Sequence, residues 1–508
     1  RIKRINQQKE EDIFSIATNT FTNQFDPHSS YLSPRNSENF DMNMSLKLEG
    51  IGALLGTDDD FTKIVSLVAG GPAEKSGKIS PDDKIVKIKQ ADEADFIDVS
   101  GWRIDDVVNL IRGPSGSEVE IEFISSNETG DNERKIVSLI REEIKLEDRA
   151  AKYSIFEHDN KKLGVVELPS FYMDFNAYRR RDPNFKSSSG DVYRLLRELE
   201  KESVDGIILD LRNNGGGSLF EATALTDLFI DYGPVVQIRD SNKRIDRNRR
   251  AISMAAYTGP LLVLINRLSA SASEIFAGAM QDYGRALVVG TQSYGKGTVQ
   301  DVTELSDGQL KLTVSKFYRV SGDSTQHRGV IPDIEFPSIY NIDEIGESEQ
   351  ENALLWDQIH AVPHNTSSQL KDIIQPLATR HKERAYSDPN FVHMIDQLDL
   401  TRSWNKEKSL SLNLEKRRER NNARDEALLA IENKRRIDQK LEPHKSFSAW
   451  ETYRDIQVNN KKDDDSLSLE SDPILTEAAH ILSDQIQLLP QSDSAKVANI
   501  QENAQETL

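Results

Sequence analysis

Four short, almost uninterrupted apolar runs constrain this chain more than any other feature: "LGVVELP" (163–169), "GIILDLR" (206–212), "PLLVLIN" (260–266) and "ALVVGT" (286–291). A strand with one wet face alternates apolar and polar residues. A strand without alternation is buried on both faces, which is the condition of a parallel sheet. Between the runs lie "DVYRLLRELEKE" (191–202), "LFEATALTDLFI" (219–230) and "SASEIFAGAMQDYG" (271–284), each with helical periodicity. Strands alternating with helices imply crossover units and an α/β core across 126–340. Within it, "RDSNKRIDRNRR" (239–250) is a charge run and reads as a solvated loop.

With 508 residues, the chain exceeds one ordinary core and should divide into two to four domains. Residues 1–38 are polar and read as helical up to Phe25, after which "DPHSSYLSP" (26–34) breaks the pattern as a turn or linker. Residues 39–125 read as a small β-rich unit. Its strand candidates are "GIGALLG" (50–56), "FTKIVSLV" (61–68), "DKIVKIK" (83–89) and "EVEIEFI" (118–124), with short helices at 71–77 and 103–113. After about Tyr340 the composition turns charged and helix-prone, and 341–508 reads as a C-terminal helical domain whose charged stretch (415–440) is a solvated face.

The net charge of −20 argues against a general nucleic-acid binder. No apolar run approaches the ~18–20 residues of a membrane span. The absence of cysteine removes disulfides, thiol catalysis and cysteine–metal sites. No metal or cofactor is expected. The chain opens on Arg1, which reads as a processed or truncated chain with room for a removed signal peptide.

"SASASE" (269–274) places three serines where an apolar run meets a helix. Ser271 and Glu274 form an S-x-x-E capping box, an ordinary helix start. The flanking Ala270 and Ala272 also leave room for a substrate backbone, and a helix N-terminus carries free N–H groups that can hold an oxyanion. No histidine lies nearby to activate a serine. A lysine can act as base when burial lowers its pKa from about 10.4. "SYGKGTVQ" (293–300) offers Lys296 between two glycines, and in an extended strand Thr298 and Gln300 would share its face. "DLRNNGGGS" (210–218) follows a strand with three glycines, which suits either a flexible turn or a loop of N–H donors.

Together these segments resemble the carboxy-terminal processing, or tail-specific, serine proteases of the Prc/Tsp type. "LEGIGALL" with "GGPAEKSGKISPDDKIVKI" resembles that family's PDZ domain, "DPHSSYLSP" the segment before it, and "STQHRGVIPDIEFP" (324–337) the end of its protease core. The resemblance implies a multidomain α+β chain: a PDZ domain inserted before a crotonase/ClpP-like α/β protease core, with helical N- and C-terminal regions. It implies Ser271 as nucleophile, Lys296 as base, Gln300 supporting the lysine, and Ala272 with Gly216 or Gly217 as oxyanion donors. Asp282 matches an aspartate linked to activity. Eleven residues along a helix is roughly 16 Å, so a supporting role at the helix end is expected. Ser269 and Ser273 would cap and pack. Gly50, Ile51, Gly52 and Ala53 occupy the loop that holds a substrate tail's carboxylate, with pockets for apolar tails lined by Ile51, Leu54 and Val107. The implied partners are proteins with apolar C-termini and an adaptor protein, and the implied site of action is the bacterial periplasm.

Two other readings stand beside this one. A silent PDZ scaffold would bind tails without cutting them. A crotonase-type enzyme would turn over coenzyme A thioesters.

Overall fold

The computed structural model describes residues 7–126, 134–247, 254–461 and 472–489. It divides into two compact units. The first comprises 1–18, 32–149 and 174–182; the second comprises 19–31, 150–173 and 183–508.

The first unit is built on five antiparallel strands in sequential order: β1 (Ala53–Asp58), β2 (Phe61–Leu67), β3 (Lys84–Gln90), β4 (Glu118–Ile124) and β5 (Arg134–Ile140). Helix α1 (Ile104–Ile111) packs against β1 and β3. The boundary expected at residue 125 falls inside this sheet. β5 pairs along the whole of β4, and a further strand, Glu142–Lys145, pairs back on Lys47–Gly50. Residues 127–133 between β4 and β5 lie outside those described, and in the sequence this interval is polar, which left the pairing of β4 with β5 unread. β1 is the end strand of the sheet, so among the described residues one of its edges is unpaired.

In the second unit the order β6 (Lys152–His158), β7 (Lys161–Glu167), β8 (Gly206–Asp210), β9 (Leu261–Ile265), β10 (Leu287–Gly290) and β13 (Ile334–Glu335) makes one six-stranded sheet. Only the β6–β7 hairpin is antiparallel. All five residues of β8 and all five of β9 are buried, as their continuous apolar runs demand. Helix α2 (Ser188–Lys201) covers one face, where Gly164 lets Leu199 approach: a Cβ there would lie 2.9 Å from it. Helices α3 (Leu219–Asp227) and α4 (Ala272–Asp282) pack together beside it.

The opposite face is closed from far away in sequence. Helix α5 (Pro473–Leu488) buries Leu475, Ala478, Ile481 and Leu482 against Val165, Ile208 and Leu262. The C-terminal helical region expected from 341 thus sends its last described helix onto the sheet of the second unit. The intervening charged stretch forms the long helix Leu414–Asp438, largely exposed.

A second sheet carries β11 (Thr298–Glu304) and β12 (Gln309–Tyr318), joined by Ser30–Leu32 and by a hairpin of Gln237–Asp240 with Ile245–Asp246. This hairpin replaces the loop expected for 239–250; residues 248–250 lie outside those described. Among the described residues no helix is long and apolar enough to cross a membrane.

Leu482 is fully buried against Gly206 and the sheet. Leu482→Ala is expected to lower stability by about 2–5 kcal/mol, because the rigid sheet cannot collapse into the space. Urea unfolding of the variant beside the parent chain measures it.

Candidate active site

The three serines separate by burial. Ser269 and Ser273 are fully buried, whereas Ser271 is partly exposed. The Ser269 hydroxyl donates to the Leu211 carbonyl at 2.8 Å, and that of Ser273 to the Asn214 carbonyl at 2.9 Å. Both fasten the helix start to the glycine loop.

Ser271 is the N-cap of α4, with φ 57° and ψ −111°. An N-cap that only capped would sit in the ordinary extended region. Positive φ in a residue with a side chain costs of order 1–3 kcal/mol and is held by its surroundings. Those surroundings are the glycine loop. Gly216 has φ 101°, and a Cβ there would lie 2.8 Å from the Ser271 Cβ and 3.0 Å from the Ala272 nitrogen.

The same contact distinguishes the two candidate glycines. The Gly216 N–H donates to Asn214 Oδ1 at 2.9 Å, so it is occupied. The Gly216 carbonyl accepts from Phe171 N–H, and Ser218 N–H donates back to Phe171. Among the described residues, the N–H groups of Gly217 and Ala272 have no acceptor.

Lys296 lies on the loop that leaves β10. Its Nζ donates to the Thr298 carbonyl at 2.9 Å and to Gln300 Oε1 at 2.7 Å. Among the described residues it makes no hydrogen bond to Ser271. Its pKa is lowered to about 8, foremost by burial and also by Lys311, with Glu347, Glu274 and Asp26 opposing the shift.

Gln300 reaches the lysine because the β11–β12 register slips between Val299 and Gln300, setting Gln300 opposite Thr313. Its amide then donates to Thr298 Oγ1 and Thr313 Oγ1, both at 2.9 Å. The Thr313 hydroxyl in turn donates to Asp26 Oδ1 at 2.8 Å.

Several residues of this arrangement were not singled out as functional from sequence. Asp26 and His28 belong to the segment read as a turn. Asp26 is buried and accepts from Ser29 Oγ and the His28 N–H as well as from Thr313. His28 Nε2 meets Glu347 at 2.8 Å, Gln326 donates to Glu347 at 2.9 Å, and the Gly297 N–H donates to Gln326 Oε1 at 2.7 Å. Two chains of hydrogen bonds thus run from residues 26 and 28 to either side of Lys296. The available signal was a histidine and an aspartate inside a proline-bounded turn.

Glu274 joins the parts. Its buried carboxylate accepts from the Ser271 N–H at 2.7 Å, Ser293 Oγ at 2.6 Å, the Gly295 N–H at 2.6 Å and the Lys296 N–H at 2.9 Å. Burial pushes its pKa up to about 7 against these donors.

Asp282 is not brought to this site. It ends α4, and its carboxylate accepts from Arg319 at 2.6 and 3.1 Å. Eleven residues along the helix put it roughly 16 Å from the serine.

In the first unit, Gly50-Ile51-Gly52-Ala53 leads into the free edge of β1. Gly52 has φ 73° and lies close against Gly71. The Ile51 and Gly52 carbonyls accept from Ala73 and Val68, while the Ile51 and Gly52 N–H groups have no acceptor among the described residues. The expected pocket lining needs correction. Ile51 and Val107 are 2% and 0% exposed and belong to the domain core, whereas Leu54 is 54% exposed. Ile51 turns inward from the link between Lys47–Gly50 and β1, and the helical period carries Val107 inward from α1.

Known families match along nearly the whole chain. Residues 162–336 match the model of peptidase family S41, 39–123 a PDZ domain, 1–35 the tail specific protease N-terminal domain and 340–487 the C-terminal domain of tail specific protease. The tail-specific protease of Haemophilus influenzae is 40% identical over 85% of this chain and 62% of its own length. The carboxy-terminal-processing protease of Bartonella bacilliformis is 33% identical over 64% of this chain and 70% of its own. Among solved structures, a photosystem II D1 C-terminal processing protease is 25% identical, covering 68% of this chain and 89% of that one at a TM-score of 0.35. The chain thus spans about six tenths of the Haemophilus relative, and with the Bartonella match it belongs to the carboxy-terminal-processing, or tail-specific, proteases of peptidase family S41.

Proposed function

We propose that this chain is a serine endopeptidase that takes protein substrates by an apolar C-terminal tail and cuts them with Ser271 and Lys296. The observation that carries the reading is the lysine amine. A neutral amine has two protons and one lone pair. The Thr298 carbonyl and Gln300 Oε1 occupy two N–H positions, which leaves the lone pair to receive a proton.

In this reading Ser271 Oγ attacks the scissile carbonyl carbon as Lys296 Nζ takes its proton. The oxyanion is held by the Gly217 and Ala272 N–H groups. The C–N bond then breaks, and the lysine ammonium gives its proton to the leaving amine. Water, deprotonated by the same lysine, releases the acyl group from the serine. Asp26, Thr313 and Gln300 are positioning residues that fix the amine. Asp282, held by Arg319, supports the helix end.

The tail would add to the free edge of β1, with its carboxylate on the Ile51 and Gly52 N–H groups and an apolar side chain near Leu54. A silent scaffold is favoured by one observation, the missing Ser271–Lys296 hydrogen bond. Our reading takes this as a form that closes on substrate. An adaptor protein and action in the bacterial periplasm rest on the family resemblance, and cell fractionation checks the second.

A loosely folded reporter with an apolar tail should be cut faster than one with a charged tail. Lys296→Ala should reduce cleavage by at least about 10³-fold. Tail binding without cleavage by the parent chain would establish the scaffold instead.

The base must be neutral, so kcat/KM should rise with pH through about 8 and level off above it. Asp26→Asn removes an anion that raises the lysine pKa and should move the midpoint down. Lys311→Gln removes a cation that lowers it and should move the midpoint up. Initial rates across pH 6–10 on the order of ten points would resolve both shifts.

Glu274→Gln sets an amide with one acceptor oxygen against four donors. It should lower stability by roughly 1–3 kcal/mol and depress cleavage, read by thermal unfolding and by the reporter assay.

A further inference from the structure

Away from the Ser271 site, three lone-pair-bearing atoms converge at the end of the core sheet. His158 Nε2 lies 2.8 Å from His480 Nδ1. Asp159 Oδ2 lies 3.3 Å from His480 Nδ1 and 3.5 Å from His158 Nε2.

Hydrogen bonding alone does not satisfy this cluster. If His158 Nε2 donates to His480 Nδ1, the carboxylate faces a ring lone pair. If His480 Nδ1 donates to Asp159, the His158 lone pair is the one left facing oxygen. Every neutral assignment leaves either two acceptors or two ring N–H groups confronting each other. A cation at the centre serves all three.

The cluster is also rigid. His158 ends β6 and pairs with Lys161 across a two-residue turn, Asp159-Asn160, with φ 48° and 56°. Positive φ at both positions is the tight hairpin turn that matches strand twist. His480 comes from α5, whose apolar face is locked into the core. Arg384, a nearby cation, is committed to Glu477 and Asp484.

We propose that His158, Asp159 and His480 bind one first-row divalent ion, with Zn²⁺ as the reference occupant and a fourth position open to water. Zinc bonds of about 2.0–2.1 Å in a tetrahedron place ligand atoms about 3.3 Å apart, close to the separations here. Two imidazoles and one carboxylate select zinc, cobalt or nickel over magnesium or calcium, which prefer oxygen. The ion would pin α5 to the β6–β7 hairpin and so clamp the helix that closes the core.

The full chain, stripped with chelator and dialysed, is titrated with Zn²⁺ by calorimetry and with Co²⁺ by visible absorption. The expected result is one ion per chain, a tetrahedral cobalt spectrum and a rise in Tm with Zn²⁺. His480→Ala and Asp159→Asn, each checked for folding by circular dichroism, should abolish the spectrum. They should weaken zinc binding by more than the roughly 10–100-fold that loss of an outer-shell partner costs. Absence of saturable binding, or binding that survives both substitutions, overturns the proposal.

Discussion

The carboxylate of Glu274 holds together two segments that the chain delivers separately. One is the helix start that carries Ser271; the other is the loop that carries Lys296. Four donors converge on the carboxylate, three of them backbone N–H groups belonging to Ser271, Gly295 and Lys296. Because these are main-chain bonds, they fix where both backbones run whatever the side chains do. The strained φ of Ser271 persists between this anchor and the glycine loop behind it. Charge-assisted bonds to a buried carboxylate are among the stronger hydrogen bonds available, and their loss would leave four donors unsatisfied.

The parallel sheet makes that convergence possible. β9 and β10 are adjacent and run the same way, so the segments after both strands leave from one edge of the sheet. Ser271 follows β9, Lys296 follows β10, and the glycine loop follows β8, the neighbour of β9 on the other side. Strand ends at the carboxyl edge of an open α/β sheet are where such folds assemble sites. The opposite face would be wet without α5, and the uninterrupted apolar runs would then be a liability.

Legibility in the sequence followed the range of the interactions. β8 and β9 were readable because burial on both faces leaves a local imprint. Ser271 and Lys296 were readable because each sits in a compact motif. The distinction between Gly216 and Gly217 was not, since it depends on the Asn214 side chain turning back to occupy one N–H. The position of Gln300 depends on a register slip with no sequence mark of its own. Asp26 and His28 looked like turn residues because their partners, Thr313 and Glu347, are roughly three hundred positions away. The same distance hid the pairing of His158 with His480. Asp282 sits where the helix length placed it, at the end of α4, paired with Arg319.

By itself the sequence determined the layered architecture and the family, and it singled out Ser271 and Lys296 as candidates, because periodicity and contiguous motifs are written within a few turns of chain. Only the tertiary structure decided which N–H groups stay free, how the amine is oriented and what closes the second face of the sheet. Those outcomes depend on groups meeting across long loops. Their energies arise from burial and hydrogen-bond geometry that no local stretch of residues contains.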